Sequence, residues 1–133
     1  MMEPILQTLL LCQDVKEDLP GFPGTSLLGI FNVKRLNQGV TTIPLNFWVY
    51  ARIVNLEGPC AFAIAFADAE SESVIGRNSF DIPHVDDPRR TIEISQLVSM
   101  PIVGPGRYEC RLSVNNNFLG HTTLFVVGGS ASP

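Results

Sequence analysis

Residues 60–69 read CAFAIAFADA, and no other stretch restricts the fold of this chain so tightly. Successive side chains of an extended strand point to opposite faces, so Phe62, Ile64 and Phe66 share one face and Ala61, Ala63, Ala65 and Ala67 the other. A helix would mix the two sets around its axis. The preceding segment PLNFWVYARIV (44–54) alternates in the same way, with Phe47, Val49, Ala51 and Ile53 against Trp48, Tyr50 and Arg52.

Further strands are expected in PILQTLLLCQDV (4–15), SLLGIFNVKRL (26–36), SVIGRNSFDI (73–82) and TIEISQLV (91–98). One short helical turn fits around Ile94 to Met100. Turn-forming clusters separate these runs: LPGFPG (19–24), EGP (57–59), DAESES (68–73) and HVDDPRR (84–90). Seven or eight short strands at this spacing, with no 10–15-residue helical segment between them, predict an antiparallel two-sheet β-sandwich of immunoglobulin-like type rather than a parallel α/β sheet. The chain of 133 residues is expected to form a single domain over residues 1–127, followed by a flexible tail over 128–133.

The last two strands lie in PGRYECRLSVNNNFLGHTTLFVV (105–127). Tyr108, Cys110, Leu112 and Val114 form one face of the incoming strand, and three asparagines follow. Asparagine tolerates left-handed backbone, so the triplet is expected to turn the chain rather than to bind a ligand. A two-residue loop would bury His121 and Thr123 beside the core face. A three-residue loop over Asn115 to Asn117 instead turns Phe118, Gly120, Thr122, Leu124 and Val126 inward, and is therefore the expected one.

The segments LLLCQDV, SLLGIFNV, FWVYARI and PGRYECRLSVNNNFLGHTTLFV together resemble a family of small bacterial β-sandwich proteins of immunoglobulin-like fold without assigned activity, over Pro4 to Val127. The resemblance implies a fold and no catalytic residues. It departs from the usual pattern at the final hairpin, where Asp-Gly or Asn-Gly is commoner than three asparagines.

Several functions are disfavoured by composition and motif content. Net charge is −4, and only Lys34-Arg35 and Arg89-Arg90 are adjacent basic pairs, which is a poor basis for binding nucleic acid. The opening segment MMEPILQTLLLCQDV lacks a basic start and a cleavage site, and no apolar run approaches the roughly 20 residues of a membrane span, so a cytoplasmic location and no membrane partner are expected. Cys12, Cys60 and Cys110 are widely spaced, without a CxxC pair, and read as reduced core residues. His84, Asp86 and Asp87 share one loop, and Asp68, Glu70 and Glu72 one turn, but neither set has a recognised metal-ligand spacing. There is no nucleophile elbow and no phosphate loop, so neither a cofactor nor an enzymatic activity is expected.

The outer strand faces offer the best candidates. Trp48, Tyr50 and Arg52 project together, and aromatic side chains there suit a sugar ring, a peptide or a second subunit. Ala61, Ala63, Ala65 and Ala67 make a small apolar face where a polar one is the rule. The two strands are expected to be neighbours in one sheet, joined through the Glu57-Gly58-Pro59 turn, so that these residues form one apolar patch with an aromatic rim, and a homodimer is expected on it. The expected function is a non-enzymatic protein-interaction module. The alternatives are a carbohydrate or small-ligand module using Trp48 and Tyr50, and a structural subunit of a phage particle or similar assembly.

Overall fold

The computed structural model describes residues 3–37, 39 and 42–128, so of the tail expected over 128–133 all but Gly128 lies outside the described residues. Among these residues the chain forms nine strands and no helix: β1 (Ile5–Leu19), β2 (Phe22–Ile30), β3 (Val33–Arg35), β4 (Thr42–Val54), β5 (Gly58–Asp68), β6 (Val74–Val85), β7 (Ile92–Val103), β8 (Gly106–Val114) and β9 (Asn117–Val127). They build a four-stranded sheet in the order β2-β1-β4-β7 and a five-stranded sheet in the order β3-β9-β8-β5-β6. Every pairing is antiparallel except that of β3 with β9.

The apolar faces read from alternation meet between the sheets. Phe47, Val49, Ala51 and Ile53 of β4, Phe62, Ile64 and Phe66 of β5, and Tyr108, Cys110, Leu112 and Val114 of β8 are all buried in one core. Four rings run through it from sheet to sheet. Phe31 meets Phe47 edge-on at 6.1 Å, Phe47 lies 5.8 Å from Phe66, and Phe66 stacks on Tyr108 at 5.5 Å. The Tyr108 hydroxyl, buried with its ring, donates to the Gly104 carbonyl at 2.7 Å.

Where the structure departs from the sequence reading, local chemistry explains it. No helical turn forms at Ile94 to Met100, because β7 runs straight through this segment. Ile94, Val98, Met100 and Ile102 all face the core, and the polar Gln96, opposite Val49, interrupts the alternation that would have shown the strand. The segment 26–36 is two strands rather than one. The chain leaves the four-stranded sheet after Ile30, where the Phe31 amide still donates to Leu11, and joins the other sheet through the Asn32 carbonyl, which accepts from Phe125. LPGFPG is a tight hairpin, with Pro20 and Gly21 (φ 80°) between paired Leu19 and Phe22, and Phe22 already belongs to β2. Proline followed by a positive-φ glycine is the chemistry of a type II turn.

The Glu57-Gly58-Pro59 segment does not join neighbours in one sheet. Asn55 (φ 66°) and Gly58 (φ 73°) flank Leu56, which is 2% exposed and fills the end of the sandwich, so the chain passes from β4 in one sheet to β5 in the other. Trp48, Tyr50 and Arg52 therefore lie on one outer side of the molecule and the alanines on the opposite one. The single patch expected from them does not exist.

The asparagine triplet turns the chain, but with two residues rather than three. Asn115 (φ 48°) and Asn116 (φ 65°) form the turn, and Val114 pairs with Asn117, as in a type I′ hairpin. A bulge at Leu119 then restores the inward register: Ser113 opposes Phe118 and Leu112 opposes Gly120. Leu124 and Val126 are buried as expected, while Phe118 points outward at 60% exposure. Asn115 also ties the turn to β5. Its Oδ1 accepts from the Ala61 amide at 2.9 Å, and its Nδ2 donates to the Pro59 carbonyl at 3.4 Å. Asn115→Ala loses these bonds and places a poorly suited residue at positive φ, so a loss of about 1–2 kcal/mol in urea unfolding is expected. Asn116→Gly is expected to be neutral or to stabilise by up to ~1 kcal/mol. The reverse order of effects would contradict this turn.

Candidate functional site

The outer face of the four-stranded sheet carries the most distinctive surface of the molecule. Cross-strand register fixes its composition. Cys12 on β1 pairs with Ile30 on β2 and with Trp48 on β4, and Trp48 pairs with Leu97 on β7. One row across all four strands is thus Ile30, Cys12, Trp48, Leu97. Leu10 and Tyr50 sit opposite each other in the row on one side, and Leu28 flanks it on the other. Ile30 is 57%, Leu97 59% and Leu28 44% exposed, so a band of large apolar side chains faces water.

The sequence makes this face apolar because its two central strands are apolar on both sides. Leu9-Leu10-Leu11-Cys12 of β1 is a continuous run: Leu11 is buried in the core and Leu9 packs against it, while Leu10 and Cys12 alternate outward. In β4, Trp48 and Tyr50 interleave with Phe47, Val49 and Ala51. Strands with apolar residues on both faces ordinarily sit in sheets covered on both faces. Here the described residues cover only one.

Within the band the three residues named from sequence differ. Trp48 is half-buried and Arg52 is exposed. Tyr50 is 6% exposed, and its hydroxyl donates to Glu93, which stands opposite Arg52 on β7. Burial first, and then the Glu93 carboxylate, push the Tyr50 phenol up to about 12. Cys12 is fully buried beneath the band's side chains, and burial raises its thiol above the ordinary value. Charges close the band at both ends: Arg52 and Glu93 face each other at one, and Lys16 pairs with Asp14 at 3.1 Å at the other.

The alanine face lies on the five-stranded sheet. Ala61 stands beside Asp81, Ala63 between Ser79 and Ser113, and Ala65 between Arg77 and Arg111. Ala67 is buried next to the bulge that follows Phe66. The alanines are thus the floor between two polar ridges, not an apolar surface. Arg111 bridges Glu72 and Glu109, each at 2.7 Å, and His121 lies 3.3 Å from Glu109. The Arg111 guanidinium holds the Glu109 carboxyl below the usual carboxylate range.

The acidic turns are occupied by their own chain. Asp68 accepts from the backbone amides of Glu70 and Ser71, Asp87 from the amide and guanidinium of Arg89, and Asp86 lies 3.0 Å from His84. Cys60 and Cys110 are buried in the core, the latter with its thiol pushed up to about 12 by burial. They sit on different strands, six residues apart in register, or roughly 20 Å, far beyond disulfide reach. Thiol titration of the unfolded protein is therefore expected to give three free thiols, and an intramolecular disulfide in the native protein would contradict this packing.

Sequence reasoning found Trp48, Tyr50 and Arg52 but missed Leu10, Cys12, Leu28, Ile30 and Leu97, which complete the surface. The signal was the unbroken Leu9 to Cys12 run, too apolar for a strand wetted on one face.

No family model matches the chain, and comparison with curated proteins gives no match. Among solved structures the chain is similar to a glycosyl hydrolase family 2 member from Bacteroides cellulosilyticus DSM 14838, at 11% identity and a TM-score of 0.42, over 66% of this chain and 13% of that one. The chain thus spans only a small part of that protein's length.

Proposed function

We propose that this chain is a non-enzymatic protein-interaction module whose working surface is the outer face of its four-stranded sheet. The apolar row Ile30, Cys12, Trp48, Leu97, carried across all four strands with Ile30 and Leu97 exposed and Trp48 half-buried, is the observation that supports it. Soluble proteins rarely leave a contiguous apolar face of several hundred Å² exposed without using it. A half-buried tryptophan ringed by aliphatic side chains also has the composition of an interface hot spot. Use as a sugar platform has less support, because Tyr50 is buried and its hydroxyl is engaged by Glu93.

We further infer that the sandwich is of immunoglobulin type. Three features support this: the sheet switch between β2 and β3, the parallel pairing of β3 with the last strand, and Tyr108, which stands two residues before Cys110 and reaches back to the Gly104 carbonyl. That contact resembles the tyrosine corner of such domains. Three free thiols agree with a reducing, cytoplasmic setting.

A photo-crosslinking residue placed at Leu97 tests the surface, with one at Ser79 on the opposite sheet as control. In cells, adducts are expected from position 97 and not from 79. No adduct from 97 would contradict the reading.

A further inference from the structure

Resting on that working surface, we infer that its partner is a second copy of this chain, packed face to face about a two-fold axis that runs along the strands between β1 and β4. Such an axis exchanges β1 with β4 and β2 with β7, as the order β2-β1-β4-β7 allows. Trp48 then lies over the Leu10–Cys12 stretch of the other copy, where Leu10 is the residue it can touch, and Ile30 against Leu97. Each contact occurs twice, aromatic against aliphatic and aliphatic against aliphatic.

The face carries no net charge. Glu93 stands across from Arg52, and Lys16 pairs with Asp14. The exchange sets Arg52 over Thr8 of the other copy and one strand spacing from that copy's Arg52, with Glu93 on the neighbouring strand as the opposite charge beside each. A nucleic acid or a strongly charged peptide finds no net charge to match on this face, and the −4 of the whole chain repels an anionic membrane. Area agrees with a weak dimer. Six residue steps of about 3.4 Å along β4 and four strands about 4.8 Å apart give a face of roughly 20 Å by 20 Å, about 400 Å² in projection per copy. With side-chain relief and the flanking rows, the pair falls at the low end of specific interfaces, roughly 1,200 Å² in total. Dissociation in the micromolar range is expected.

Sedimentation of the purified protein, with Leu97→Arg and Ala63→Arg beside it, tests this. Leu97 is 59% exposed, so arginine there leaves the monomer folded, which circular dichroism verifies. The wild type is expected to dimerise, Leu97→Arg to weaken the dimer by about 100-fold through an uncompensated charge at the seam, and Ala63→Arg to change it by less than about threefold. A chain carrying both Ile30→Cys and Leu97→Cys fixes the orientation. These positions lie on opposite edge strands, three strand spacings or about 14 Å apart within one copy, too far for an internal disulfide. Mild oxidation is expected to link two copies. A wild type that stays monomeric at high micromolar concentration overturns the inference, as does a dimer split by Ala63→Arg and not by Leu97→Arg. If position 97 crosslinks to a different protein while the purified chain is monomeric, the second copy is refuted as partner and the working surface stands.

Discussion

Phe66→Ala is expected to cost about 3–5 kcal/mol of unfolding free energy, the range for a buried aromatic side chain truncated to alanine. Phe66 has no exposed surface and sits at the middle of the ring series, 5.8 Å from Phe47 of the opposite sheet and 5.5 Å from Tyr108 of its own. Its removal opens a cavity between the sheets that neither can close, because both are held by their own ladders. The closely packed surroundings favour the upper part of that range. A loss below ~1 kcal/mol would mean that β5 presents its other face to the core.

Tyr108→Ala is expected to cost as much, about 3–5 kcal/mol, for two separable reasons. The ring fills the core beside Phe66, and the buried hydroxyl satisfies the Gly104 carbonyl where the chain turns from β7 into β8. Tyr108→Phe isolates the second contribution and should lose about 1–2 kcal/mol, the value of a buried hydrogen bond. Because the two rings touch, Phe66→Ala and Tyr108→Ala should not add. The shortfall in the double variant should be about 0.5–1.5 kcal/mol, as for a stacked aromatic pair. Strict additivity in urea unfolding would contradict the stacking.

The faces of β4, β5 and β8 were legible in the sequence because alternation is a property of a single strand. Which strand lies beside which is not, and the aromatic and alanine faces were wrongly joined for that reason. The residue that separates them is Leu56: an apolar residue between Asn55 and Glu57 plugs the sandwich end and carries the chain across, whereas a turn within one sheet would leave it in water. The final hairpin failed in a more instructive way. The inward register of Leu124 and Val126 was correctly deduced from the need to keep His121 out of the core, but a bulge at Leu119 supplies it in place of a longer loop. The outer band was only half visible. Trp48 and Tyr50 announce themselves, while Leu97 follows the inward polar Gln96, and Ile30 precedes a break that the sequence does not mark.

Trp48 is the only tryptophan in the chain and stands at the middle of the uncovered face, so it reports directly on whether that face is used. Its acrylamide quenching should be measured from low- to high-micromolar protein, in parallel with sedimentation. If the outer face of the four-stranded sheet is the working surface and the second copy its partner, quenching falls over the same concentration range in which the dimer forms, and Leu97→Arg keeps the high quenching of the monomer throughout. Quenching that does not change while the protein dimerises would place the contact elsewhere and contradict the assignment of this face.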